Sequence, residues 1–260
     1  MRALTSGGGA LVSRPDQNER TMTQTIATGT ITAIGFDADD TLWHNESMFH
    51  MTQQEFLDLL KDHGDPQEMT ARLNAVERRN HGVYGYGAKG FTLSMIETAI
   101  ELTQGAVPGA TLSRLLALGR ALLEYPIEPL AGVTETLAML KDEYHLLVIT
   151  KGDLLNQEQK LARSSLGDYF DAIEIVSEKD ANAYRRIFTR HALPTESAVM
   201  IGNSLKSDVL PALEAGLWGI HIPYRLTAAH EVAEPPRDAS RYAKLETIAE
   251  VPGWLAARRQ

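Results

Sequence analysis

Three carboxylates in four residues, Asp37, Asp39 and Asp40, stand directly behind an apolar, partly β-branched run in the segment ITAIGFDADDTLW. Such a run suits a buried strand of a parallel sheet. A strand ending in three acids is not using them for packing, because unpaired charge is costly to bury. In extended backbone Asp37 and Asp39 share one face, while Ala38 and Asp40 point the other way. Two carboxylates on one face can hold a hard divalent cation such as Mg2+, or divide the roles of nucleophile and acid/base. One of the three could instead cap the segment that follows. Three further segments offer complementary groups. Thr150, with Lys151 and Gly152 after it, ends a second apolar run, where a hydroxyl and approaching backbone N–H groups can reach an anionic oxygen; the competing use of Thr150 is a helix cap. Lys179 precedes a helical pattern, and a cation is poorly placed at the positive end of a helix dipole unless an anion lies near. Asn203 and Asp208 follow a later apolar run and add oxygen donors suited to a hard cation, one of them uncharged.

The elements that would position these groups follow from hydrophobic periodicity. Residues 47–60 and 66–79 carry helical spacing, separated by Gly64-Asp65-Pro66. Residues 80–91, NHGVYGYGAKGF, read as a glycine- and tyrosine-rich loop; helical spacing resumes over 92–102 and again over 112–123. From Gly132 onward helices and strands alternate, with strands expected at 145–150, 172–177, 197–202 and 218–223. This βαβ series implies a parallel sheet with helices on both faces. Ligands of such sheets sit beyond the C-terminal strand ends, where the candidate residues fall. The chain is therefore expected to divide into a flexible lead-in over 1–29, an α/β core over 30–45 and 126–260, and an all-helical insertion over 46–125. Within the insertion, Tyr84, Tyr86 and Lys89 on the glycine-rich loop are candidates for substrate contact.

The formal net charge of −9, with no basic cluster beyond short pairs, argues against nucleic acid as a partner. No apolar run approaches the ~20 residues that span a bilayer. Without Cys the chain can have no disulfide, thiolate chemistry or sulfur-ligated metal. These features suit a cytoplasmic enzyme with no membrane contact. An anionic substrate is still admissible, since a bound cation can invert the local field. The oligomeric state is left open, a homodimer included.

Taken in order, DADDT at 37–41, Thr150, Lys179 and GNSLKSD at 202–208, with Ala215-Gly216 after it, resemble the four motifs of the haloacid dehalogenase superfamily. The resemblance implies a Rossmann-like core with an inserted helical cap, and a Mg2+-dependent phosphatase of a small phosphorylated metabolite working through an aspartyl-phosphate. It implies Asp37 as nucleophile, Asp39 as acid and base, and Thr150 and Lys179 as holders of the transferring oxygens. Asp37, the Asp39 backbone carbonyl and Asp208 would bind Mg2+, with Asn203 as a weaker ligand. The chain departs from the family pattern twice. Asn203 stands where an Asp is usual, and Asp180 and Asn182 stand where prolines are usual near the Lys. A dehalogenase or a phosphomutase of the same superfamily would share the core, though such dehalogenases lack the counterpart of Asp39. A phosphate-binding regulatory protein is the alternative from a different class.

Overall fold

Ala33–Phe36 forms the central strand, β1, and every one of its residues is buried. It is flanked in parallel by β2 (His145–Lys151) and β4 (Ala198–Gly202). With β3 (Ala172–Val176), β5 (Trp218–His221) and β6 (Tyr242–Lys244) these make an all-parallel sheet of order β3-β2-β1-β4-β5-β6. The order reverses at β1, so the crevice beyond its C-terminal end is the topological switch point of the sheet. The computed structural model describes residues 30–228, 231–237 and 240–259; the lead-in expected over 1–29 lies outside them.

The period-2 alternation of the strands supplies two cores. Ile34, Phe36, Leu146, Val148, Val199 and Ile201 face one side, under α5 (Val133–Leu140), α6 (Leu154–Ser164) and α9 (Val251–Ala256). Ala33, Leu147, Ile149, Ala198 and Met200 face the other, under α7 (Ala181–Arg190) and α8 (Leu210–Glu214). Side chains of this kind contribute about 1.5–3 kcal/mol each when fully buried. Both faces are covered, as a parallel sheet requires.

Between β1 and α5 the chain builds four helices, α1 (Glu46–Leu59), α2 (Pro66–Tyr84), α3 (Ala88–Leu102) and α4 (Gly109–Glu124). They bury a third core of their own, centred on Phe56, Leu60, Met69, Leu73, Met95 and Leu115. Asp65 starts α2 by accepting from the backbone N–H groups of Gln67 and Glu68, with Pro66 in the first turn.

Two elements differ from expectation. The glycine-rich stretch over 80–91 is not a long loop: α2 runs through Gly82 to Tyr84, α3 begins at Ala88, and Gly85–Gly87 alone joins them. Only Gly85 (φ 72°) and Gly87 (φ 98°) need the left-handed backbone that glycine supplies. The strand β6 is an addition. Three residues, Tyr-Ala-Lys, at a sheet edge carry too little periodicity to be read from sequence.

Candidate active site

Asp37 follows β1 and is fixed by its backbone, whose N–H donates to the Ile201 carbonyl at 2.8 Å. Its side chain is buried as one end of a three-residue array centred on Lys179. Lys179 donates to Asp37 Oδ1 and, at 2.7 Å, to Asp208 Oδ1, while Thr41 Oγ1 donates to Asp37 Oδ2 at 3.1 Å. Asp208 Oδ2 accepts from the Ser204 backbone N–H at 2.9 Å. All three charged groups are buried, Asp208 to 1% exposure. Burial and the neighbouring Asp208 carboxylate push Asp37 up to about 7, against the pull of Lys179. Lys179 is raised by the two carboxylates, which outweigh its own burial. The array thus carries more negative charge than one lysine offsets.

The chain turns sharply after Asp37. Leu42 N–H donates to the Ala38 carbonyl, and Asp40 takes a left-handed φ of 63°. In this turn Asp40, which also lines the cavity, accepts from the backbone N–H groups of Asn45 and Glu46, at 2.8 Å and 3.0 Å. Asp40 is therefore the capping acid of the three, at the start of α1.

Asp39 sits on the same cavity wall as Asp37. Its carboxylate accepts from Trp43 Nε1 (2.7 Å), from Lys160 Nζ (2.8 and 3.0 Å) and from Gln157 Nε2 (3.1 Å). Gln157 also donates to Thr150 Oγ1 at 2.6 Å. With its oxygen accepting from Gln157, Thr150 keeps its own hydroxyl proton for another acceptor. It does not cap α6, because Asp153 does, accepting from Asn156 N–H at 3.0 Å. Asp180, in place of the usual proline, caps α7 through Ala183 N–H at 2.6 Å, and so leaves Lys179 one residue earlier to turn inward.

Asn203 reaches the same cavity. Its N–H donates to Thr41 Oγ1 at 3.1 Å, and its Oδ1 lies 3.4 Å from that hydroxyl. Lys151 also lines the cavity, but its charge is engaged, 2.7 Å from Glu231 Oε1 and 4.0 Å above the ring of Tyr86. The three insertion residues separate. Tyr86 lines the cavity and donates to Glu178 at 2.6 Å. Lys89 pairs with Asp153 at 2.8 Å, outside the cavity lining, and ties α3 to the start of α6. Tyr84 is a correction. As the last residue of α2 it turns away and donates to Glu97 at 3.1 Å, so it does not face the site.

Lys160, Gln157, Trp43 and Glu231 are site residues that sequence reasoning missed. The signal for two of them was present. Gln157, Lys160 and Ser164 recur every three or four residues, with Asn156 and Leu161 beside them, a largely polar stripe on the buried face of α6. Trp43, read only as the apolar end of the first motif, also carries an indole N–H that needed a partner.

Gly202 shows how tightly Asp208 is seated. A Cβ there would lie 2.2 Å from Asp208 Oδ2. Gly202→Ala should displace that carboxylate and destabilise the protein by about 1–3 kcal/mol, read by thermal unfolding. An unchanged melting temperature would contradict the packing described here.

The cavity formed by these groups holds about 290 Å³, bounded by the strand ends on one side and by α1 and α2 on the other. Such an arrangement can present a nucleophilic carboxylate, a second carboxylate for proton transfer and a buried cation to one substrate atom. Comparison with known proteins agrees with this grouping. The family model described as haloacid dehalogenase-like hydrolase matches residues 31–216. A solved structure from Xanthomonas campestris, described as a haloacid dehalogenase-like family hydrolase, is 44% identical, covers 88% of this chain and 92% of its own, and superposes with a TM-score of 0.79. The glyceraldehyde 3-phosphate phosphatase of Methanothermobacter thermautotrophicus is 28% identical over 211 residues, 76% of this chain and 88% of the relative. The pyrimidine 5'-nucleotidase YjjG of Escherichia coli is 28% identical over 196 residues, 71% of this chain and 82% of the relative. With a family model spanning most of its length and these motifs converging on one cavity, the chain belongs to the haloacid dehalogenase-like hydrolases.

Proposed function

We propose that the protein is a phosphatase of small phosphorylated metabolites, transferring the phosphoryl group first to Asp37 and then to water. The observation that carries this reading is the buried Asp37–Lys179–Asp208 array, with Asp39 beside it on the wall of one cavity. Support comes also from the relatives, two of which are named as a glyceraldehyde 3-phosphate phosphatase and a nucleotidase.

In this reading a carboxylate oxygen of Asp37 attacks phosphorus, the P–O ester bond breaks, and an acyl phosphate forms. Lys179 and Thr41 each hold one oxygen of Asp37, so its rotation is set before the substrate arrives. Asp39 gives a proton to the leaving oxygen, then takes one from the water that hydrolyses the acyl phosphate. Thr150 donates its hydroxyl proton to a phosphoryl oxygen, and Gln157 couples it to Asp39. The four-helix insertion acts as the cap, closing the leaving-group side with Tyr86 and residues of α1 and α2.

The donor set fits Mg2+. Two carboxylates, Asp37 and Asp208, share one cation in the form of the Lys179 ammonium, and their excess negative charge calls for another. Among the described residues no cluster of three or more acidic or histidine side chains could hold a metal. The ion would rest on these two carboxylates with the Asn203 side-chain carbonyl and the Asp39 backbone carbonyl, all hard oxygen donors. When bound, Mg2+ supplies charge that offsets the repulsion between Asp37 and an anionic ester.

Hydrolysis of an aryl phosphate should stop when a chelator is added and return with excess Mg2+. Full activity in excess chelator would contradict the metal assignment. Asp208→Ala should raise the Mg2+ concentration required far more than Asn203→Ala, since only the former removes a charge.

A further inference from the structure

Lys151 follows Thr150 into the cavity and is the obvious side chain to hold a second anionic group of a substrate. Its charge is instead taken up by the protein. The Lys151 ammonium lies 2.7 Å from Glu231 Oε1, and Glu231 Oε2 accepts from the hydroxyls of Ser204 and Ser207, each at 2.6 Å. Two segments distant in sequence converge on one carboxylate, which is 16% exposed and lines the same cavity as Asp37. These charge-assisted hydrogen bonds hold Glu231 down at about 2, against its burial, so it is ionised throughout the neutral range.

The facing wall is acidic as well. Glu46 on α1 is pushed up to about 8 by burial and by repulsion from Asp40, Glu77, Asp39 and Glu231. Eight carboxyl groups and four lysine or arginine side chains line the cavity; each of the three lysines is already paired with a carboxylate, Arg78 is exposed on α2, and Glu46 holds its proton at neutral pH. A second anion on the substrate would find no lysine charge left over and would meet the ionised Glu231 beside Lys151.

On the phosphatase reading given above, we infer that Glu231 is a specificity-determining residue. It neutralises Lys151 and, with the acidic wall opposite, restricts the cleft to phosphate esters whose leaving group carries no negative charge of its own. Specificity of this kind arises from repulsion of the wrong ligand rather than from added contacts to the right one.

The test compares binding of two unreactive ligands that differ by one carboxylate, methylphosphonate and phosphonoacetate, to the full chain with Mg2+ by calorimetry. Wild-type protein should bind methylphosphonate at least about tenfold more tightly, the scale of one unfavourable charge contact near a protein surface. Glu231→Gln removes the carboxylate that neutralises Lys151 and should shrink that gap by about tenfold, whereas Lys151→Met removes the cation beside Glu231 and should widen it. Phosphonoacetate binding to wild type as tightly as methylphosphonate would overturn the inference, and would mean that a substrate carboxylate displaces Glu231 from Lys151. A gap unchanged in Glu231→Gln would overturn it too. Failure of the phosphatase reading shows separately, as protein that binds these phosphonates with the expected preference yet hydrolyses no phosphate ester.

Discussion

Lys179→Met should abolish phosphatase activity and destabilise the fold by about 3–5 kcal/mol, the range for removing one partner from a buried ion pair. The lysine lies between Asp37 and Asp208, which are themselves buried, and among the described residues no other cation hydrogen-bonds either carboxylate. Asp37 stands at about 7 even with Lys179 present. Without it the carboxyl group holds its proton more firmly and loses its nucleophilicity. The stability deficit should also depend on pH, with a sign that follows from linkage. A carboxylate whose folded pKa is raised binds more protons in the folded state, so stability falls as pH rises from the unfolded value toward the folded one. The deficit of Lys179→Met, measured by denaturant unfolding in chelator, should therefore shrink as pH is lowered from 7 toward 5. A variant as stable as wild type at pH 7 would contradict the buried array.

Asp39→Asn should lower kcat by about 10²–10⁴-fold, the usual cost of losing a positioned general acid and base. The structure adds a second consequence. The Asp39 carboxylate gathers donors from Trp43, Lys160 and Gln157. An amide at that position would turn its own N–H groups toward some of those donors and would leave Lys160 without a charged partner, with Asn45 Oδ1 at 2.7 Å as a neutral one. In the variant, KM for a small aryl phosphate should change less than kcat. Wild-type turnover by Asp39→Asn would remove Asp39 from the mechanism.

The parts of the molecule legible in the sequence are those with a short-range signature. Buried strands announce themselves as apolar runs; Asp37 and Thr150 lie within one residue of a strand end, Asp39 and Lys179 three residues past one, and Asp208 six past another. The parallel sheet and both faces of helices follow from the βαβ rhythm; the strand order does not. The residues that escaped reach the site from a distance. Glu231 arrives from the loop between β5 and β6, and its partners Lys151, Ser204 and Ser207 lie far back in the chain. Lys160 faces inward only because α6 packs that face against the turn holding Asp39. The glycine-rich stretch misled for a different reason. Gly82 costs a helix interior only about 1 kcal/mol, which α2 absorbs, so composition alone overstated the loop. Tyr84 consequently lies on a helix face turned from the cavity, one turn from where a loop would have placed it.

The role of Asp37 is tested most directly by trapping the phosphoryl group on it. For a substrate with a good leaving group the first transfer needs little acid assistance, whereas attack of water on the aspartyl-phosphate still needs the base. Asp39→Asn mixed with an aryl phosphate and Mg2+ should accumulate a covalent phosphoryl group, visible as added mass on the intact protein and mapped to Asp37 by peptide sequencing. Asp37→Asn should stay unlabelled and inactive under the same conditions. Label on Asp39 or Asp40 in the wild-type protein, or turnover by Asp37→Asn, would contradict the assignment of Asp37 as the nucleophile.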